Sequence, residues 1–260
     1  MIIHPYKPGS KSVKALKGAI VASGTRALIT QRPPRRRASV VNWGGRAEFL
    51  NTYRRVLNRP NAIAGLRDKL AFFQRVGNDE RTLPWTTDPK VASQWKNVFV
   101  RKSLTGSSGQ GIVVWQQKAG LPLPPAPLYT KRMFTTHEYR IHVFREDTGE
   151  FHAIDTQRKV FKKTGELQAP PGGWAIRSHA NGFTFVHNDV PPTEVVEGVC
   201  NFVREHFPDL DFGAFDVLYD ADKKRFYVIE GNSAPGLEGI TVDSYVRAIK
   251  RALHPGTNMV

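Results

Sequence analysis

The chain is predicted to be an α+β protein built in three consecutive segments, and three observations carry that prediction. Strand-like apolar runs recur after Pro127. Two stretches, 193–207 and a last helix with Val242, Val246, Ile249 and Leu253 on one face, repeat apolar residues at helical spacing. Two proline-rich stretches, 31–37 and 120–127, divide the chain. Proline removes a backbone donor and biases its predecessor to extended conformations, so both read as loops or linkers.

The elements follow in order. Short β-like runs at 27–30 and 38–42 alternate with helix-like segments at 10–18 and 46–57, which makes residues 1–64 a small α/β unit. Residues 65–76 read as a helix, and 97–101 and 111–115 as strands around a glycine-rich turn, within a second unit over 65–127. The third unit, 128–260, opens with strands at 127–134, 138–145 and 151–156. The helix over 193–207 is stopped by Pro208 and leads into a hairpin, 215–219 and 225–230, about a turn at 220–224.

Composition excludes several classes. With 40% apolar and 10% aromatic residues the chain can build a core, so wholesale disorder is out. No apolar run approaches the ~18–20 residues of a membrane span, and the start lacks a signal pattern, which predicts a soluble, cytoplasmic protein. The single Cys200 rules out an internal disulfide and any zinc site built on paired cysteines, and it is expected to pack as a small buried hydrophobe. The net charge of +15 is front-loaded, at Lys7, Lys11, Lys14, Lys17, Arg32, Arg35, Arg36 and Arg37. It reads either as a solvated basic surface or as the footprint of an anionic partner. No zinc-finger spacing, ribonucleoprotein motif or basic zipper accompanies it.

The hairpin is the most informative stretch. Asp216 and Glu230 are equidistant from residue 223, inside the turn, so a regular hairpin sets them directly opposite with Cβ atoms ~4.5–5.5 Å apart. Like charges so placed repel unless one takes a proton or a cation sits between them. Asn232 shares the parity of Glu230 and faces the same way on a regular strand. Two carboxylates and an amide oxygen form a hard, all-oxygen set suited to Mg²⁺, which keeps its remaining sites for water and phosphate. The plain alternative is a solvent-facing strand with incidental acids.

Upstream, the 102–112 segment joins two strands through Gly106, Gly109 and Gly111. Such a loop lets backbone N–H groups approach phosphate oxygens, and Lys102 can add a point charge. It is neither a dinucleotide G-x-G-x-x-G motif nor a P-loop, since it leads into a strand and no Gly-Lys-Ser/Thr ends it. Asp211-Phe-Gly213 matches a protein-kinase triplet, but no His-Arg-Asp loop precedes it.

Taken in order, Asp68-Lys69, the 102–111 loop, Glu138-Tyr-Arg140, Arg177-Ser178, Asp216 and Glu230-Gly-Asn-Ser-Ala-Pro-Gly236 resemble the ATP-grasp ligases, most of all the branch with the ribosomal-protein glutamate ligases. The resemblance implies two α+β subdomains clasping ATP behind a small α/β N-terminal domain. By it, Lys69 and Lys102 contact the phosphates, and the loop with Gly106, Ser107, Ser108, Gly109 and Gly111 closes over them as a lid. The 129–133 strand, with Lys131 and Met133, lies beside adenine, and Glu138 accepts from the ribose hydroxyls. Arg140 stabilises the transferred phosphoryl group, Arg158 and Arg177 meet phosphate or substrate, and Asp216, Glu230 and Asn232 hold Mg²⁺, as two ions, or Mn²⁺. This chain departs from the family at Lys131-Arg132, where Gln or Glu is frequent, and at His179, where Asn is usual, with Asn181 two residues later. His142 and His152 are expected to be structural.

The implied chemistry is ATP-dependent joining of a carboxylate to an amine through an acyl phosphate, releasing ADP and phosphate. Such a reaction needs alignment, charge neutralisation and exclusion of water more than a nucleophilic side chain. The basic N-terminal unit predicts an acidic substrate or acceptor, with peptide, amino acid and nucleic-acid-linked groups all open. The alternative from another class is a nucleic-acid-binding module that keeps a nucleotide fold without ligase activity.

Overall fold

The chain opens with a parallel sheet in the order β2-β1-β3-β4, formed by β1 (Ile2–Pro5), β2 (Leu28–Ile29), β3 (Val40–Trp43) and β4 (Val56–Leu57). This is a computed structural model, and it describes residues 1–33, 37–105, 109–162 and 175–253. α1 (Lys11–Ala22) links β1 to β2; Ser10 caps it by accepting from the Val13 amide at 3.4 Å, and Val13, Leu16 and Ile20 form its buried face. The helix expected over 46–57 does not form. A 3-10 turn spans Glu48–Thr52, and β4 pairs with β3 instead. The Arg59 guanidinium takes the carbonyls of Asn51 (2.7 Å) and Arg54 (3.3 Å), two acceptors that helix amides would otherwise use.

α2 (Lys69–Val76) follows. Its Asp68 cap accepts from the Ala71 amide at 2.8 Å. The middle sheet is antiparallel, in the order β5-β8-β6-β7, from β5 (Trp85–Thr86), β6 (Asn97–Arg101), β7 (Ile112–Gln116) and β8 (Leu128–Lys131), with the short α3 (Pro89–Ala92) beside it. It has its own small core of Ala92, Val98, Val100, Trp115 and Tyr129. The boundary expected at 127/128 falls ahead of β8, which belongs to this sheet. The proline-rich 120–127 run is therefore a loop inside the middle unit, pinned by Tyr129 Oη, which donates to Pro124 O at 3.2 Å and accepts from the Ala126 amide at 2.8 Å.

The third sheet, in the order β11-β10-β9-β12-β13, is also antiparallel. It comprises β9 (His137–Arg145), β10 (Phe151–Phe161), β11 (Phe183–Val186), β12 (Phe212–Asp220) and β13 (Arg225–Asn232). β10 runs five residues beyond the strand expected at 151–156, and β11 pairs with that extension. α4 (Thr193–His206) and α5 (Ile240–Leu253) complete the unit. Among the described residues no helix is long and apolar enough to cross a membrane.

Strand alternation divides the third sheet into two faces. Tyr139, Ile141 and Val143 of β9 and Phe215 and Val217 of β12 pack against Phe72 and Phe73 of α2 and Val199, Phe202 and Val203 of α4. α2 thus belongs to this core rather than to the middle sheet. Cys200 is buried here, and burial pushes its thiol pKa up to about 11, the environment of a hydrophobe. On the other face, Phe144 and Phe212 are covered by Trp43, Tyr245 and Ile249 in a core shared with α1. Each such side chain contributes roughly 1.5–3 kcal/mol when fully buried.

Asn58 locks the parallel sheet to β12. It sits at φ 59, fully buried; its Nδ2 donates to Phe212 O at 2.8 Å, and its Oδ1 accepts from the Asp211 (2.9 Å) and Phe212 (3.1 Å) amides. Its own carbonyl accepts from Asn42 Nδ2 at 2.7 Å. Asn58→Ala strands three buried backbone groups and places a Cβ residue without a compensating hydrogen bond in the left-handed region. It is expected to cost about 2–4 kcal/mol in urea denaturation, with Asn58→Gly recovering only the smaller, conformational part.

Candidate active site

The cleft face of the third sheet carries a lattice of charge. Register places Asp216 of β12 between Arg140 of β9 and Glu230 of β13. The hairpin is not regular, however. From Asp220↔Arg225 to Val217↔Val228 the pairing runs in step, and in that register Asp216 would face Ile229. A bulge at Ile229 shifts the ladder by one and brings Glu230 opposite Asp216. Asn232 keeps the parity of Glu230, and both line the cleft.

Each carboxylate has a cation, which relieves the repulsion expected between the two acids. Arg140 grips Asp216 with Nε at 2.7 Å and Nη2 at 2.9 Å. Burial alone would raise the Asp216 pKa, but the Arg140 charge and hydrogen bonds outweigh it and hold the carboxyl below its usual range. Lys69, the first residue of α2, brings Nζ to 3.6 Å from Glu230 Oε1. Glu138 pairs with Lys159 Nζ and lies 3.9 Å from Arg177 Nη1; burial nonetheless raises its pKa. Arg177 also donates to Thr135 O at 2.8 Å.

The cleft encloses about 900 Å³ and is lined by six Lys or Arg side chains against four carboxylates, so it suits an anionic ligand. One cation is informative by its isolation. Arg101 is 5% exposed, its Nε donates to Thr130 Oγ1 at 3.3 Å, and it forms no ion pair among the described residues. Burial lowers its pKa against the opposing influence of Glu230. A guanidinium buried without a carboxylate is expensive, and an incoming anion would relieve that cost. Toward one end the walls turn apolar, with Leu83, Phe99, Ile112, Met133, Leu218 and Ile229, a slot that suits a flat heterocycle.

The structure gathers nine of the expected site residues around this cleft: Lys69, Gly109, Met133, Glu138, Arg140, Arg177, Asp216, Glu230 and Asn232. Gly109 is at φ 75, and a Cβ there would stand 2.3 Å from Ile176 Cγ2, so only glycine fits. Four other expected residues are not among the cleft lining. Lys102 is exposed; Val98 and Val100 point into the middle core, so the opposite parity, Phe99 and Arg101, faces the cleft. Gly111 closes the loop, its carbonyl accepting from the Lys102 amide at 2.7 Å, and does not line the cleft. Lys131 points outward, its amide bonded to Pro84 O at 2.8 Å. Arg158 is outside the lining and pairs with Asp189, whereas its neighbours Gln157 and Lys159 line the cleft. Gly106, Ser107 and Ser108 lie outside the described residues.

His142 is fully buried. It lies 3.1 Å from Tyr245 Oη and 3.4 Å from Gln157 Oε1, and burial, then the Arg140 charge, lower its pKa to about 4. His152 is half-exposed beside Glu146 at 3.4 Å. Asn181 donates from Nδ2 to Ile176 O at 2.7 Å and shapes the loop rather than the cleft. Asp79, Glu205 and His206 also converge, but Arg81 already bonds both carboxylates.

The fold has parallels among solved structures. It superposes on a structure of ATP-grasp ligase PsnB complexed with a minimal precursor, Mg and ADP, at TM-score 0.64 and 13% identity, over 96% of this chain and 97% of that one. A RiPP-associated ATP-grasp ligase of Chryseobacterium gregarium, in complex with ADP and a leader and core peptide, aligns at TM-score 0.61 and 14% identity, over 95% and 94% of the two chains. D-alanyl-alanine synthetase A of Vibrio cholerae gives TM-score 0.63 and 12% identity, over 97% and 96%. The fold is the ATP-grasp fold. No family model matches the sequence, and no curated protein matches it.

The ATP-grasp fold implies a divalent metal, and the residues here fit one. Asp216, Glu230 and Asn232 offer only oxygen ligands on one face, the set Mg²⁺ prefers. The Asn232 amide nitrogen is buried without a partner among the described residues, so the side chain is not committed to the surrounding protein.

Asp216→Asn tests this electrostatic frame. It leaves Arg140 buried beside a neutral amide and is expected to destabilise the ligand-free protein by about 3 kcal/mol at neutral pH. Because the folded-state pKa of Asp216 is depressed, its contribution is present above the unfolded carboxylate value of about 4 and is lost as pH falls through the folded value. Denaturation curves of wild type and Asp216→Asn should therefore converge on acidification.

Proposed function

We propose that this protein is an ATP- and Mg²⁺-dependent carboxylate–amine ligase that forms an amide bond through an acyl phosphate and releases ADP and phosphate. The observation that carries the reading is the buried Arg101, without an ion pair among the described residues, in one cleft with the all-oxygen set of Asp216, Glu230 and Asn232. The ATP-grasp fold supports it, as do the Mg and ADP in the PsnB complex. In sequence pattern the branch nearest to this reading is that of the ribosomal-protein glutamate ligases, through Glu138-Tyr-Arg140 and the 230–236 stretch. The parallels with ligases bound to precursor, leader and core peptides favour a peptide or small-molecule carboxylate and amine.

In this reading the apolar slot by Met133 receives adenine, and Glu138 accepts from the ribose hydroxyls. Arg101 and Lys69 bind phosphate oxygens, replacing the carboxylate partner that Arg101 lacks. Arg140, anchored by Asp216, is aimed along the floor of the cleft, where it neutralises the carboxylate and the phosphoryl group as they approach each other. Asp216, Glu230 and Asn232 would hold Mg²⁺, which supplies charge neutralisation on the phosphates when bound. The loop at Gly109 and the segment at Ile176 cover the cleft and keep water from the acyl phosphate. An amine then displaces phosphate. A degenerate nucleotide fold that only binds nucleic acid has no need of this intact oxygen set.

The test is ADP release with ATP, Mg²⁺, a panel of carboxylates and hydroxylamine, which traps an acyl phosphate as a hydroxamate. Thermal stabilisation by ATP should require Mg²⁺. Arg101→Ala should weaken nucleotide binding by about 1.5–3 kcal/mol, and Lys102→Ala should leave it close to wild type. Glu230→Gln should abolish ADP formation, and wild-type turnover in that variant would remove the metal assignment.

A further inference from the structure

A second cavity of about 620 Å³ adjoins the first and shares Lys69, Arg140, Glu230 and Asn232 with it. Its outer wall is the C-terminal edge of the parallel sheet, through Tyr6, Ser10, Ser12, Gly44 and Arg46. Ligands of open parallel sheets gather at that edge, because the strands end there and loops open around it.

The charge of the N-terminal unit is lopsided. Residues 1–64 hold thirteen Lys and Arg against a single acid, Glu48. None of these cations forms an ion pair among the described residues, whereas Arg81, Arg145, Arg204 and Lys223 elsewhere are all paired. Four of the exposed ones lie at the C-terminal edge of the sheet, the edge that walls the second cavity. Lys7 and Lys11 follow β1, with Lys7 Nζ 5.2 Å from the Tyr6 ring centroid. Arg46 follows β3 and lines the cavity. Arg32 follows β2, beside Gln31, whose Nε2 donates to Pro5 O at 3.2 Å. Arg26, Arg37, Arg54 and Arg55 precede β2, β3 and β4, and so lie at the opposite edge. Of the arginines at 35–37, Arg37 thus lies at the opposite edge, and Arg35 and Arg36 lie outside the described residues.

We propose that the C-terminal edge of the parallel sheet is the docking surface for an acidic peptide, held by Lys7, Lys11, Arg32 and Arg46 while its reacting end enters the second cavity. This rests on the ligase reading. That reading also selects a peptide among polyanions, because the docked chain must bring a carboxylate or an amine to Arg140, and a phosphodiester backbone has neither. The apolar walls of the same cavity, Ile63, Leu66 and Phe72, suit the aliphatic stems of peptide side chains. The mechanism is local concentration and steering, screened by salt over ~8–10 Å.

Two variants with the same net charge separate docking from general attraction: Lys7→Gln/Lys11→Gln/Arg32→Gln/Arg46→Gln at the C-terminal edge, and Arg26→Gln/Arg37→Gln/Arg54→Gln/Arg55→Gln at the opposite edge. Fluorescence anisotropy with fluorescein-labelled octaglutamate reads binding at low and physiological salt. The C-terminal-edge variant should bind about tenfold more weakly or worse, with the opposite-edge variant close to wild type. Equal losses in both, or no loss in either, overturn the proposal. So does tighter binding of single-stranded DNA of equal charge at physiological salt, which would make the surface a nucleic-acid site. Thermal stabilisation by Mg²⁺ and ATP should survive in both variants. Its absence in wild type would refute the ligase reading while leaving the peptide result to stand by itself.

Discussion

β12 is buried along all nine residues, and the site depends on that constraint. A central strand covered on both faces cannot leave a carboxylate unanswered, since an unpaired buried charge costs several kcal/mol. Asp216 is answered by Arg140 on the adjacent strand, and the ion pair in turn fixes where Arg140 points. The other charged groups on the floor follow the same rule: Glu230 with Lys69, Glu138 with Lys159 and Arg177. Arg101 is the exception, and the reading of the cleft as a place for phosphate rests on that exception.

The three sheets share this task unequally. The parallel sheet and the third sheet are joined by a common apolar core and by the Asn58 hydrogen bonds, so they form one block. The middle sheet keeps a separate core and reaches the block by fewer links, among them the Lys69 amide, which donates to Leu104 O at 3.2 Å. Arg101 and Gly109 ride on the middle sheet, while Asp216, Glu230, Asn232 and Arg140 ride on the block. The cleft between the two brings both sets of groups together.

Much of this was legible in the sequence where a single strand or helix carried the signal. The hairpin and both long helices follow from periodicity and turn chemistry, whereas Asp216 meets Glu230 only because the bulge at Ile229 shifts the register. Chemistry was easier to read than direction. Lys102 and Arg158 were the natural phosphate cations by residue type, yet the buried valines of β6 turn Arg101 inward, and β10 presents Lys159. Parity against Val98 and Val100 could have found Arg101; nothing in the sequence set the parity of β10. The segment over 46–57 has helical spacing, but a distant arginine and a neighbouring strand claim its backbone. β11 pairs with an extension of β10 that no local pattern marks.

The bulge at Ile229 has a consequence for how such a site is found in other chains. In a regular strand, one extra residue turns everything beyond it to the opposite face. Here the extra residue is absorbed locally, so Glu230 and Asn232 keep facing the cleft although the count back to Asp216 is longer by one than the hairpin requires. Spatial pairing and linear spacing are thereby uncoupled. A pattern that demands a fixed interval between the two acids will pass over relatives that lack the bulge yet hold the same oxygens in the same place, and a search by strand register will not.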